Sequence, residues 1–171
     1  GPVVTKERKY IRLHLLDQKG NRMLHGVARG KDGNGYYGRC IHSIQEGNES
    51  VFTAIIEPYS GQPFIKAIKA LRIQDNEGDA ERAVAVEIKT REGCTDIVFA
   101  DGRPQEIREF AGLKISAEYA MVSRNTEGIQ KAAIYGGAIL DCGDLRLEPK
   151  LSNYSVEIEK VDYEKRQLLL K

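Results

Sequence analysis

Short stretches of the chain alternate apolar and polar residues with a period of two. That is the signature of strands showing one face to a core and the other to water. Around 83–90, Val84, Val86 and Ile88 fall on one face and Glu87 and Lys89 on the other. Leu113, Ile115, Ala117 and Tyr119 alternate with Lys114, Ser116 and Glu118, and Tyr154, Val156 and Ile158 with Ser155, Glu157 and Glu159. Near the start, Ile11, Leu13 and Leu15 alternate with Arg12 and His14. Turn-forming clusters punctuate the chain at 17–21, 31–35, 46–50, 60–63, 75–79, 91–93, 101–104, 125–128 and 142–144.

Two segments fit either period. Phe64, Ile65, Ile68 and Leu71 suit a helix, whereas Ile65, Ala67, Leu71 and Ile73 suit a strand. The stretch 105–111 has room for a single helical turn. The pattern predicts an all-β fold, an antiparallel β-sandwich of many short strands with at most one or two short helical turns. No repeat, low-complexity stretch or linker divides the 171 residues, so a single domain is expected over 3–171. Gly1 and Pro2 are the pair often left when a fusion tag is removed, and the expectation is a domain excised from a larger protein.

Composition narrows the function classes. With 26 Lys and Arg against 25 Asp and Glu, the formal net charge is +1, which supplies no overall electrostatic case for nucleic acid. A hydrophobic share of 41% and a charged share of 30% suffice for a core and exclude a disordered tail. No apolar run approaches the roughly 20 residues that span a bilayer, and the best candidate, from Val51 to Ile56, meets Glu57 and Pro58 at once. Neither nucleic acid nor membrane is expected as a partner. Cys40, Cys94 and Cys142 are odd in number and form no C-x-x-C pair. They read as buried free thiols rather than as zinc ligands.

Several motifs dissolve on inspection. Gly33, Gly35 and Gly38 match G-x-G-x-x-G, but a strand-like segment from Arg39 to Ile44 follows where a dinucleotide site needs a helix. The catalytic signatures of a protein kinase are absent. Asp32 and Asn34 open like a calcium loop, yet Tyr36 takes the next ligand position and no glutamate closes it. Asp75, Glu77, Asp79 and Glu81 read as a solvated acidic loop. Cys40 and His42 share a strand face as half a metal site, with His14, His25 and Asp96 as loose complements. They read as structural, so neither a metal nor a cofactor is expected. Tyr36, Tyr37 and Tyr59 sit in or beside turns with Arg39 and His42 nearby. Such rings stack on sugar faces, and Arg and His bind hydroxyls or carboxylates; covering the core edge is their simpler role.

The segment from Ser50 to Ile65, S-V-F-T-A-I-I-E-P-Y-S-G-Q-P-F-I, resembles a strand-turn-strand run in the β-domain of heparinase II/III-like polysaccharide lyases. Its distinctive block is Glu57-Pro58-Tyr59. The later order is similar too: Cys94 to Phe99, then Leu113 to Val122, then Ala132-Ala-Ile-Tyr-Gly-Gly137 before a short strand. The resemblance covers 41–147. It implies a parent that cleaves uronate-containing polysaccharide by β-elimination, periplasmic or secreted, whose catalytic groups lie mainly on a preceding helical barrel. This chain is then a β-domain that is not catalytic alone, with the helical domain and acidic polysaccharide as partners. No motif carries the family's catalytic residues onto it. Tyr36, Tyr37, Arg39, His42 and Tyr59 remain the substrate-contact candidates. The alternative is a stand-alone, non-catalytic carbohydrate-binding or structural β-domain. A domain separated from its neighbour is expected to expose an apolar patch, and Pro58 is expected to end the strand that begins at Val51.

Overall fold

The computed structural model describes residues 8–16, 22–29, 37–46, 51–74, 76, 83–149, 158–162 and 167–170. Every regular element among them is a strand. In chain order these are β1 (Lys9–Leu15), β2 (Arg22–Arg29), β3 (Tyr37–Ile44), β4 (Ala54–Ser60), β5 (Ile65–Leu71), β6 (Val84–Thr90), β7 (Thr95–Ala100) and β8 (Arg108–Phe110). They continue with β9 (Leu113–Ser116), β10 (Tyr119–Asn125), β11 (Gly128–Tyr135), β12 (Ile139–Asp141), β13 (Arg146–Leu147), β14 (Ile158–Asp162) and β15 (Gln167–Leu170). The ambiguous segment around Ile68 is a strand, and 105–111 holds a turn leading into β8 rather than a helix. Of the strand expected at 154–159, the residues up to 157 lie outside the described residues. The loops around Gly33, Asp32 and Glu77 do so too.

All pairings are antiparallel, as expected of an all-β sandwich. A five-stranded sheet runs β11-β10-β7-β6-β5 and a four-stranded sheet β13-β12-β9-β8. Their facing sides close the core: Ile73, Ala83, Ala85, Ile97, Phe99, Ala120 and Val122 from the first side meet Phe110, Leu113, Ile115 and Leu140 from the second. Phe99 and Phe110 stack across it, centroids 5.5 Å apart. Val84, Val86 and Ile88 share one face of the sheet, where Val86 is itself buried; Ala83 and, on β6, Ala85 lie on the other and face this core. Small residues are accepted there because Phe99 lies opposite Ala85 in the register and fills the space.

Two expectations fail locally. The alternation from Leu113 to Tyr119 is not one strand. The chain turns at Ala117 and Glu118, where the Asp101 N–H donates to the Glu118 carbonyl and the Glu118 N–H to the Gly136 carbonyl. Tyr119 therefore begins a strand of the other sheet and stands exposed. Pro58 does not end pairing either; it sits inside β4 opposite Ile11. Among the described residues β4 pairs only with β1, so the N–H that proline lacks is not required on the free edge. The reversal comes at Gly61, whose φ of 71° suits glycine.

Two hairpins, β2–β3 and β14–β15, and the ribbon β1–β4 complete the described structure.

Candidate functional site

The register of β1 on β4 places Tyr10 opposite Tyr59, Arg12 opposite Glu57 and His14 opposite Ile55, so these side chains share one face of the ribbon. Glu57 is fully buried. Its Oε2 accepts from Arg12 Nε at 2.7 Å and lies 2.6 Å from Arg12 Nη2. Its Oε1 accepts the Ile65 N–H at 2.8 Å, and Arg12 Nη2 donates to the Ile65 carbonyl at 3.0 Å. Both backbone groups at the start of β5 are thus held by side chains of the ribbon. Burial alone would push the Glu57 carboxyl up from its usual 4.5. The Ile65 N–H, the His14 and Arg12 hydrogen bonds and the Arg12 charge outweigh that and hold it down at about 2.

His14 Nε2 lies 2.9 Å from the same Oε2. An ionised carboxylate only accepts, so the proton sits on Nε2 and the ring donates to Glu57. The 3.1 Å approach of Arg12 Nε to His14 Nε2 is then a contact of two donors that share one acceptor. In the neutral ring this leaves Nδ1 as an acceptor. His14 also lines an open cavity of about 350 Å³ between β1 and β5, together with Leu15, Leu16, Ile68 and Ala70.

Tyr59 is part-buried on β4 and stacks on Tyr10, centroids 5.3 Å apart with ring planes 21° from parallel. The other substrate candidates belong elsewhere. Arg39 and His42 are exposed on β3, whose partner is β2; Tyr37 begins β3 and Tyr36 lies outside the described residues. No hydrogen bond or ring contact joins Tyr59 to Arg39 or His42 among the described residues. Cys40 and His42 do share a face of β3, as their spacing predicts. His14, one loose complement for them, is committed to Glu57. Among the described residues no group of three or more His, Cys, Asp or Glu is placed to hold a metal ion.

The opposite face of the ribbon is apolar and open. Ile11 is 75% exposed and Ile56 67%, with Leu13 and Phe52 also exposed beside them. On the β2–β3 hairpin Met23, Val27 and Ile41 are exposed on one face and Leu24 on the other. Scattered apolar side chains on a surface are ordinary, but a face made of them marks a contact region.

A second buried ion pair lies in the main sandwich. Arg108 Nε donates to Asp101 Oδ2 at 2.8 Å, and Arg108 Nη2 lies 2.8 Å from Glu106 Oε2. Asp101 Oδ1 also accepts the Arg103 N–H at 2.8 Å. The Asp101 hydrogen bond raises the Arg108 pKa further despite burial. This cluster holds the 101–108 loop against the core. Burial pushes the Cys142 thiol up, away from the reactive thiolate form.

Sequence reasoning chose Tyr59 and passed over Glu57 two residues before it, the buried carboxylate that meets Arg12, His14 and Ile65. A glutamate flanked by Ile56 and Pro58 within an apolar strand was the available signal, since a carboxylate is rarely buried without a partner. No family model matches the chain, and no curated protein or solved structure matches it.

Proposed function

We propose that this chain is the β-sandwich domain of a heparinase II/III-like polysaccharide lyase. In that role it supports a catalytic helical domain of the same parent chain and contacts uronate-containing glycan. It is not catalytic by itself. The observation that carries the reading is the open apolar face of the β1–β4 ribbon, with Ile11 and Ile56 largely exposed. An apolar face of this kind suits a neighbouring domain better than water. Glu57 and Arg12 tie this ribbon to Ile65, so a load on the face would pass to the sandwich. Glu57, from the Glu57-Pro58-Tyr59 block that carries the family resemblance, is one of the two residues that make the tie.

The exposed Tyr10, stacked on Tyr59, favours a second reading in which the domain binds glycan alone. Titration of the chain with heparin, heparan sulfate and alginate oligosaccharides tests it. Saturable, salt-sensitive binding lost in Tyr10→Ala supports that reading, and no response to any of the three ends it. For the lyase reading, the coding sequence upstream of Val3 is extended and the longer protein assayed for unsaturated uronate products. A helical region upstream and release of such products are expected. A reading frame without that region, or a protein inert on all three glycans, overturns it.

A further inference from the structure

The two main sheets end on β11, β5, β13 and β8, and three of these ends are guarded against further pairing. β8 has three residues and β13 two. β5 carries exposed Lys66 and Lys69 and is tied to the ribbon at Ile65. Short strands and edge lysines are the usual defences of an open edge. β11 is the long one, with eight residues, no proline and Lys131 as its one charged side chain. Among the described residues it pairs with β10 alone. A register shift opposite Ser123 and Arg124 leaves Gln130 bulged, so the regular run is from Lys131 to Tyr135.

The phase of the ladder shows what this edge offers. At the turn from β6 to β7 the Thr90 N–H donates to the Cys94 carbonyl, and hydrogen-bonded positions alternate along antiparallel strands. Followed through the registers, Val98 and Ala100 bond to β6, Phe99 bonds with Ala120 of β10, and Met121 and Tyr119 bond to β11. The Asp101 N–H donating to the Glu118 carbonyl keeps the same phase. On β11 the groups facing β10 are therefore those of Ala133 and Tyr135. Ala132 and Ile134 turn their N–H and C=O to the open edge. Their side chains pack on the core, while Lys131, Ala133 and Tyr135 stand exposed on the outer face.

We propose that β11 is a homodimerisation strand: two copies pair antiparallel about a two-fold axis at Ala133, and their five-stranded sheets run on as one. Centring there is the register that pairs the whole run from Lys131 to Tyr135 with itself. Ala132 exchanges main-chain hydrogen bonds with the partner's Ile134. Ala133 meets its own copy in a non-hydrogen-bonded pair, where Cα atoms approach to about 4.5 Å and a small side chain fits. Lys131 stands opposite the partner's Tyr135, a cation beside a ring that Tyr119 flanks at 6.3 Å. The occupant is a second copy because this pairing consumes the unguarded edge on both sides. The remaining edges of the sandwich are defended, so assembly closes at two. The proposal needs neither glycan nor a helical domain and stands apart from the lyase reading.

Sedimentation velocity of the intact chain in reducing buffer, at concentrations up to about 1 mM, reads the association, and a saturable monomer–dimer equilibrium is expected. Amide hydrogen exchange followed by nuclear magnetic resonance reads the register. The Ala132 and Ile134 amides should exchange at least about tenfold more slowly in the dimer, whereas those of Ala133 and Tyr135 should be protected at every concentration. Ala133→Lys changes an exposed position and sets a cation opposite its own copy, so the dimer should weaken at least about tenfold. Ile11→Lys with Ile56→Lys alters the other exposed apolar region and should leave the dimer intact. A chain that stays monomeric, a dimer whose Ala132 and Ile134 amides remain fast, or a dimer that survives Ala133→Lys would each overturn the proposal. The first two are read on the unsubstituted chain and do not depend on how a variant folds.

Discussion

Glu57 and Ile65 are joined across the corner between the ribbon and the main sheet: the buried carboxylate accepts the Ile65 N–H at 2.8 Å. The seven residues between them include Pro58, Gly61 and Pro63, which limit the paths the corner can take. The side chain then secures what the turn has brought close. Arg12, from a strand far away in sequence, closes the same junction through the Ile65 carbonyl.

Acid should loosen this junction. The Glu57 pKa is about 2 in the folded chain against a usual 4.5, so between those values the unfolded chain binds more protons than the folded one. Stability therefore rises with pH across that window. The contribution is complete above about pH 4.5 and lost as pH falls through about 2. Urea midpoints measured across this range should decline more steeply for the unsubstituted chain than for Glu57→Gln, which has no carboxyl to titrate there. Equal slopes would show that the carboxylate is not held by these partners.

The faces of the strands were legible in the sequence, but not always which face is inside. Period two placed Val84, Val86 and Ile88 together. Val86 is buried on that face, while the Phe99–Phe110 core takes Ala83 and Ala85 from the opposite one, because the two rings supply the volume and alanine gives little hydrophobic signal. The corner at Ala117 and Glu118 was hidden for a related reason. Its residues continue the alternation, and what bends the chain is hydrogen bonding to Asp101 and Gly136, remote in sequence. Glu57 was missed as a site residue on the same ground, since Arg12 and His14 reach it only through a pairing more than forty residues apart.

In the main sandwich, Arg108 is 8% exposed and Asp101 fully covered, with their charges 2.8 Å apart. Removing the cation leaves a buried carboxylate short of its strongest partner. Arg108→Met should cost about 3–5 kcal/mol in chemical denaturation. Adding Asp101→Asn, which retains an oxygen for the Arg103 N–H, should recover part of that loss. A single variant as stable as the parent chain would place the pair in water.

The turn from β8 to β9 carries a local misfit. Ala111 has φ 49° and Gly112 φ 75°, so both central residues of a two-residue hairpin loop are left-handed. Asparagine tolerates that conformation and alanine does not. Ala111→Asn should raise stability by about 1 kcal/mol, seen as a higher melting temperature with an unchanged denaturant slope.

Gly137 shows the opposite constraint. A Cβ there would lie 2.1 Å from the Ser116 carbonyl oxygen and 2.4 Å from the Ala117 Cα. That same carbonyl accepts the Ala138 N–H at 2.9 Å, so it cannot yield without breaking a bond that starts β12. Gly137→Ala should cost about 3 kcal/mol, near the top of the usual range for overpacking. Gly136→Ala is the instructive comparison, because its added atom would meet the Glu118 side chain, which can rotate aside, and the remaining strain would come from φ 61°.

The apolar face of the ribbon can be tested on the chain by itself. Ile11 and Ile56 lie on the side of β1–β4 opposite Glu57 and are 75% and 67% exposed. Their substitution removes little buried surface, so the pair Ile11→Lys and Ile56→Lys should change stability by no more than about 0.5 kcal/mol each. The same changes should raise solubility and lower binding of a hydrophobic fluorescent dye, since charge now breaks the open patch. In a longer protein where a helical domain covers this face, the identical pair should instead be destabilising, because two cations would be buried without partners. The contrast between the two settings is the measurement that matters. A loss of stability already present in the isolated chain would mean that the ribbon packs this face inward, and the docking role would have to be given up.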